Sequence, residues 1–177
     1  VLATLSAVAA GFAIHEFAGG FFRSVELIAW TTIGFGLLLW VTDRFTLSVR
    51  KIDHMGWSDA LMFGLAQAIG LIQGVSRSGI TMTAGRALGF ERTEAARFSL
   101  LLSIPVIIAA GVLTGKDVLE SGDAVLTGDI LIAAGLAFLS ALGAILGMRR
   151  RLGRARFTPL VVYRLILGAG LMAWVYW

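Results

Sequence analysis

The stretch Gln73-Gly74-Val75-Ser76-Arg77-Ser78-Gly79-Ile80-Thr81 is a polar island within an apolar sequence. The apolar residues on either side, 61–72 and 82–90, are each too short to cross a bilayer, which takes about 20 residues. We therefore predict two short helices, over 57–72 and 78–90, that enter the membrane and return to the same side. An ionisable residue between two apolar segments within a membrane is energetically costly, so the island predicts a functional site. Helix ends that meet within a membrane favour anion binding, because free N–H groups point at the ligand.

The residue types of this island suit a phosphate group. Arg77 offers a planar set of donors that binds two phosphate oxygens at once and stays charged at any working pH. Gly74 and Gly79 allow a tight turn and a close approach of the backbone to a ligand, and Ser78 is the predicted N-cap of the second helix. Hydroxyls that could donate to an oxyanion, or act as a nucleophile, belong to Ser76, Ser78 and Thr81. The alternative is an ordinary polar turn with Arg77 extended toward a lipid headgroup.

Three further segments follow the island in a characteristic order. They are Leu88-Gly89, Phe98-Ser99-Leu100-Leu101-Leu102-Ser103-Ile104-Pro105 and, near the C-terminus, Pro159-Leu160-Val161-Val162-Tyr163-Arg164. Together with Gly74–Thr81 they resemble the second signature region and the ending of the bacterial undecaprenyl-diphosphate phosphatases of the bacitracin-resistance type. The resemblance covers the C-terminal two-thirds of a family member.

The chain departs from the family pattern in two ways. Gln73 stands where the family usually has proline. The family's first signature, an acidic Glu-x-x-x-Glu helix followed by a Pro-Val-Ser-Ser-x-Gly-His turn, is absent from these residues. Because the numbered chain starts at Val1 without a methionine, we expect the first signature to precede it in a longer protein. The family is built as an inverted repeat, so this chain would hold the second half and part of the first.

The resemblance implies dephosphorylation of undecaprenyl diphosphate to undecaprenyl phosphate, which recycles the lipid carrier of bacterial cell-wall synthesis. It implies a multi-pass protein of the bacterial inner membrane with this lipid as its partner, and a homodimer is a further expectation. It also implies Mg²⁺ or Ca²⁺, whose carboxylate ligands are expected outside this segment, so no metal ligand is named here. The catalytic residues indicated are Arg77, Ser76, Ser78 and Thr81, and the substrate-binding residues are Gly74, Gly79 and Gln67.

Two other functions stay open. A membrane transporter or flippase of a lipid diphosphate would also use broken helices around an anion site. A homologue that has lost its acidic half would be a non-catalytic binder of the lipid diphosphate. The two glutamates of the first signature discriminate these functions, since their presence indicates a hydrolase. Gln67 has its own alternative, a buried amide that joins helices.

The composition is that of a membrane protein. Apolar residues make up 58% of the 177 residues, charged residues 15%, and the mean hydropathy is +0.86. The lack of cysteine excludes disulfides and a thiolate metal site in this chain. The net charge of +4 comes mainly from loop arginines, and no basic face with interleaved aromatic residues is present, so no nucleic-acid partner is expected.

We predict an all-α polytopic integral membrane protein with a re-entrant helix hairpin and a single transmembrane domain over 1–177. The predicted spans cover about 1–17, 25–41, 95–114, 130–148 and 158–177. Arginines between Met148 and Phe157 place that loop in the cytoplasm. By alternation, the acidic loop over 115–129 then lies outside.

We also predict roles for individual polar residues outside the island. Arg86 is expected to reach a headgroup or to support the site. Arg164 lies within a span and needs a partner, for which a carboxylate beyond this segment is expected. Thr93 is the predicted N-cap of the span that follows the hairpin. Interface or surface roles are expected for His15, Glu26 and His54, and packing roles for Ser99 and Ser103.

Overall fold

The computed structural model describes residues 24–47, 49–121, 124–152 and 157–177. They form α1 (Val25–Phe45), a 3-10 helix (Ile52–His54), α2 (Trp57–Ile69), α3 (Arg77–Ala87), α4 (Arg92–Ser121), α5 (Ala124–Leu152) and α6 (Thr158–Tyr176). Over these ranges the extended pairing is limited to an isolated bridge between Arg50 and Phe90. Helices α1, α4, α5 and α6 are long and apolar enough to cross a membrane. The chain is therefore an all-α polytopic membrane protein, as predicted.

Helices α1, α4 and α5 extend beyond the predicted spans, because polar residues continue the helical hydrogen bonds past the apolar segments, whereas α6 agrees with its predicted span to within one residue. Helix α1 runs to Phe45 rather than ending near residue 41. Helix α4 begins at Arg92, so Thr93 lies in its first turn and the prediction of Thr93 as its N-cap is wrong. The predicted span over 1–17 lies outside the described residues.

Two short helices occupy the positions of the predicted hairpin. Helix α2 has 13 residues and α3 has 11. At 1.5 Å per residue they are about 20 Å and about 17 Å long, too short for a hydrocarbon core of about 30 Å. Helix α2 ends at Ile69, and α3 ends at Ala87, just before Gly89, whose φ of +84° cannot continue a right-handed helix. Their re-entrant placement in a membrane stays a prediction.

Helix α3 lies at the centre of the described helices. It packs against α1, α2 and α4, while α6 packs along α1. The side chain of Met82 on α3 is buried in a cluster with Leu39, Ala96 and Val161, which come from three other helices. Apolar side chains of α5, such as Phe138, are exposed, as expected for a surface that faces lipid tails. The helix that carries the polar island is thus enclosed by its neighbours.

A buried carboxylate, Asp43, joins α1 to α3 and α4. Its Oδ1 accepts a hydrogen bond from Arg92 Nε at 2.6 Å, and its Oδ2 accepts one from the Phe157 N–H at 3.2 Å. Arg86 Nε lies 3.0 Å from Oδ1 as an ion pair but is not aligned for a hydrogen bond, while Arg86 Nη1 donates to the Phe90 carbonyl at 2.8 Å. Arg86 is 1% exposed. Of its two predicted roles the headgroup contact is therefore wrong, and Arg86 supports α3 from within.

We expect Asp43→Asn to lower the free energy of unfolding by about 3–5 kcal/mol, because it leaves the buried Arg86 guanidinium without its counter-charge. The measurement is the thermal midpoint of the purified protein in detergent. Asp53→Asn is the matched control, since Asp53 is exposed. Equal midpoints for the two variants would show that this ion pair does not hold α3 in place.

A second ion pair fixes the start of α2 against the end of α3. Arg50 donates from Nη1 to Asp59 Oδ1 (3.1 Å) and from Nη2 to Asp59 Oδ2 (2.6 Å), and Nη1 also donates to the Leu88 carbonyl (3.0 Å). The Asp59 carboxylate accepts a further bond from the Gly56 N–H (2.9 Å). The Arg50 guanidinium lies 4.6 Å from the centre of the Phe90 ring. The hydrogen bond from Arg50 holds the pKa of Asp59 below its ordinary value.

The lowered pKa of Asp59 makes this link sensitive to acid. The stabilisation is present above the pKa of the unfolded carboxyl, about 3.9, and is lost as the pH falls through the lower pKa of the folded protein. We expect wild-type protein to have a higher thermal midpoint than Asp59→Asn at neutral pH. The difference should shrink as the pH is lowered below about 4. A difference that stays constant through this range would contradict the prediction.

Candidate functional site

Residues 70–76 form the turn between α2 and α3. Gly74 has a φ of +86° and Ser76 a φ of +66°, the one positive φ at a non-glycine position in the described part of the chain. Such a conformation costs about 1–3 kcal/mol and is common at ligand sites. The Ser76 side chain is the N-cap of α3 and accepts from the Gly79 N–H at 3.3 Å. The prediction that Ser78 fills this position is wrong, because the hydroxyl of Ser76 already caps the helix and Ser78 lies in its first turn.

Helix α1 holds this turn through two threonine hydroxyls. Thr32 Oγ1 donates to the Gly74 carbonyl at 3.1 Å. Thr31 Oγ1 lies 2.8 Å from the Gln73 carbonyl, and carbonyls of its own helix are also within its reach. A side chain at Gly74 would collide with the Thr31 hydroxyl and would lie 2.5 Å from the Ile28 carbonyl. Both the positive φ and this close approach require glycine at position 74.

The open side of the turn carries hydrogen-bond donors. The Ser76 and Ser78 side chains are exposed, with hydroxyl oxygens 3.5 Å apart, and Arg77 between them is half-buried. Within the described residues Arg77 forms no salt bridge. The first N–H groups of α3 have no partner within the helix, and the helix dipole adds partial positive charge at the same end. The first turn of α3 and its N-cap thus carry hydroxyl, guanidinium and N–H donors, residue types that suit an oxyanion.

Two of the predicted site residues lie away from this open side. Thr81 is 1% exposed, and its hydroxyl lies 2.9 Å from the Arg77 carbonyl of its own helix and 2.6 Å from the Ser99 hydroxyl on α4. This contact between helices confirms the packing role expected for Ser99. Gln67 on α2 is also 1% exposed, and its Nε2 has no hydrogen-bond partner in the described part of the chain. The catalytic role of Thr81 and the substrate-binding role of Gln67 stay predictions.

Arg164 of α6 reaches the turn, which the sequence does not indicate. It is 5% exposed. Its Nε and Nη2 donate to the Thr32 carbonyl at 3.3 Å and 3.2 Å, and Nη2 also donates to the Gly74 carbonyl at 2.8 Å. The sequence signals only that a charge within an apolar helix needs a partner. Among the described residues its hydrogen-bond partners are backbone carbonyls, and the carboxylate expected for it stays a prediction.

The described residues contain no group of three or more histidine, cysteine or acidic side chains that could hold a metal ion. The buried carboxylates Asp43 and Asp59 pair with arginines instead. Of the residues expected at surfaces, Glu26 and His54 are exposed, and His15 lies outside the described residues. No metal ligand is therefore assigned in this part of the chain.

We expect Gly74→Ala to destabilise the protein by more than the roughly 1–3 kcal/mol of a strained φ, because the new methyl group also collides with α1. Gly34→Ala is the matched control, since a methyl group at Gly34 meets open space and alanine favours a helix. The thermal midpoint in detergent should fall for Gly74→Ala and should stay the same or rise for Gly34→Ala. An unchanged midpoint for Gly74→Ala would show that the turn can relax.

Comparison with known proteins identifies the family to which the chain belongs. The family model of the bacitracin resistance protein BacA matches residues 1–170. Undecaprenyl-diphosphatase 1 of Rhodospirillum rubrum is 49% identical over 177 residues, which cover 99% of this chain and 63% of that protein. Undecaprenyl-diphosphatases of Ruegeria pomeroyi and Roseobacter denitrificans are 48% and 46% identical, over 99% and 87% of this chain and 66% and 58% of their own lengths. The chain thus spans less than two-thirds of these relatives, and it belongs to the bacitracin resistance protein BacA family.

Proposed function

We propose that the protein removes the terminal phosphate from undecaprenyl diphosphate in the bacterial inner membrane, releasing undecaprenyl phosphate. In this proposal the present chain supplies the part of the site that binds the diphosphate. The observation that carries the proposal is the start of α3. Within the described residues, an arginine without a salt bridge, two exposed hydroxyls and N–H groups without a partner in the helix adjoin a strained turn there. The names of the three relatives, each an undecaprenyl-diphosphatase, supply the substrate.

The donors at the start of α3 match the charge that develops when a phosphoryl group is transferred. Negative charge spreads over the oxygens of the group in flight, and catalysis depends mainly on placing it and stabilising that charge. Arg77 can bind two of these oxygens with its planar fork. The N–H groups of α3 and the hydroxyls of Ser76 and Ser78 complete the cradle, and they cost no reorganisation because the turn already holds them.

The surroundings of the turn suit the isoprenoid tail of such a substrate. On α2, Leu61, Leu65 and Ile69 recur at a spacing of four residues, which places them on one face of the helix, and all three are exposed. This apolar face runs along α2 toward the turn. A lipid whose diphosphate lies at the start of α3 could extend its tail along that face without exposing it to water.

The cation is part of the proposal but not of the chemistry assigned to these residues. Mg²⁺ or Ca²⁺, when bound, would neutralise part of the charge on the diphosphate. The described residues do not provide a suitable set of ligands, so no step is assigned through the ion. Among the described residues, the neighbours of Ser76 Oγ are the Gly79 N–H and Ser78 Oγ, and neither is a base. In this proposal the Ser76 hydroxyl binds the phosphate, and the attacking group is left unassigned.

We expect Arg77→Ala to reduce phosphate release from a long-chain isoprenyl diphosphate by at least about 100-fold, as is typical when one stabilising donor is removed. Arg77→Lys should recover only part of the loss, because an ammonium group cannot bind two oxygens in the same plane. The assay uses detergent-purified protein expressed from its complete gene, with Mg²⁺ or Ca²⁺ present. Arg97→Ala, on the exposed side of α4, is the control and should keep wild-type activity.

The same assay separates hydrolysis from the other two candidate functions. Wild-type protein that binds the lipid diphosphate but releases no phosphate would favour a flippase, transporter or non-catalytic binder. Release that is unaffected by Arg77→Ala would contradict the role given to the start of α3 while leaving the enzyme activity in place.

A further inference from the structure

We infer that Arg164 is a positioning residue of the phosphate site, which orients the Gly74 carbonyl and places a second positive charge behind the start of α3. The inference rests on the proposed function and goes beyond it by adding a residue of α6 to the site. Two independent features of Arg164 lead to it. One is the packing that brings the guanidinium to the turn, and the other is the lack of a counter-charge in the described part of the chain.

Glycines on two helices make the space that Arg164 occupies. A Cβ atom at Gly36 on α1 would lie 3.3 Å from Arg164 Cβ, and a Cβ atom at Gly79 on α3 would lie 3.1 Å from Arg164 Nη1. The same atom at Gly79 would lie 3.3 Å from Ser76 Oγ. Arg164 Nη1 and the hydroxyl that caps α3 therefore both adjoin Gly79. The side chain crosses from α6 to the first turn of α3.

The buried and half-buried arginines of the described residues fall into two groups. Arg50, Arg86 and Arg92 each form a salt bridge with an aspartate. Arg77 and Arg164 do not, and the hydrogen bonds of Arg164 go to neutral carbonyls. A buried guanidinium without a counter-charge is costly, so it favours an anion bound nearby. Both members of the second group adjoin the start of α3.

The bond from Arg164 also determines which polar groups the turn presents. The Gly74 carbonyl accepts from Arg164 Nη2 at 2.8 Å and from the Thr32 hydroxyl at 3.1 Å. It is therefore directed toward α1 and α6. A carbonyl oxygen left free on the open side would repel the oxygens of a phosphate group. With this carbonyl satisfied on the inner side, the open side keeps the donors of Ser76, Arg77 and Ser78.

The test compares Arg164→Gln, Arg164→Lys and Thr32→Val in the detergent-purified protein expressed from its complete gene. Thr32→Val is the matched control, because it removes one hydrogen bond to the Gly74 carbonyl but no charge. Each variant is measured for KM and kcat with farnesyl diphosphate, and for the Kd of inorganic diphosphate at low and high salt. Size-exclusion profile and thermal midpoint report whether each variant is folded.

We expect Arg164→Gln to raise both the KM and the diphosphate Kd by about tenfold or more, as the loss of a charge-assisted contact predicts. Its Kd should depend less on salt than that of wild type, because one charge fewer is screened. Arg164→Lys keeps the charge, so its Kd should rise only about two- to threefold with wild-type salt dependence. Thr32→Val should lower the thermal midpoint and leave the salt dependence of the Kd unchanged.

The outcomes separate this inference from the proposed function. Equal Kd and salt dependence in wild type and Arg164→Gln would overturn the inference and leave Arg164 a purely structural residue. Diphosphate binding that depends on Arg164, without phosphate release by wild type, would support the inference and overturn the hydrolase. Wild-type protein that shows neither diphosphate binding nor phosphate release would overturn both. If Arg164→Gln does not fold, Arg164→Lys tests the positioning of the Gly74 carbonyl. A Kd equal to that of wild type would overturn that role, because an ammonium group cannot reproduce the planar set of hydrogen bonds of the guanidinium.

Discussion

A helix too short to cross the membrane leaves unpaired N–H groups at one end and unpaired carbonyls at the other, and in an apolar layer the protein must satisfy them. Helix α3, with 11 residues, sets this constraint on the rest of the structure. Polar side chains of α1, α4 and α6 contact the two ends or the side of α3. Burying such side chains against apolar groups alone would cost free energy. The apolar faces of the long helices, in contrast, need no such partners and are exposed.

The two ends of α3 are satisfied in opposite ways. At its C-terminal end, Arg86 places a positive charge where the helix dipole is negative, and Asp43 neutralises that charge with a buried carboxylate. At its N-terminal end the dipole is positive, and the charged groups nearby, Arg77 and Arg164, are positive as well. At the C-terminal end, the charge of Arg86 is thus neutralised within the described residues. The N-terminal end has no counter-charge within the described residues, so an anion bound there would stabilise it, which is the physical basis of the proposed site.

The sequence predicts the elements of this arrangement better than their contacts. The apolar runs and the polar island between them predict the two short helices and the long ones, because length and hydropathy determine which segments can cross a membrane. The island also indicates Arg77 as a functional residue, because the sequence alone shows a charged side chain between two apolar segments, where a charge is energetically costly. The contact of Arg164 with the turn is not visible, because it depends on how α6 packs along α1 and on space left by glycines at positions 36 and 79. The burial of Thr81 and Gln67 depends on tertiary packing in the same way.

Ser76, and not Ser78, is the N-cap of α3. Both Ser76 and Ser78 suit an N-cap by residue type. The chain enters α3 at Ser76, which has a φ of +66°. Glycine would adopt this φ with less strain, yet it would lose the hydroxyl that caps the Gly79 N–H. Because the Ser76 hydroxyl caps the third residue of the helix, the N–H groups of the first two have no partner in the described part of the chain. Serine at position 76, despite its strained φ, thus places the capping hydroxyl and the two uncapped N–H groups at the same end of α3.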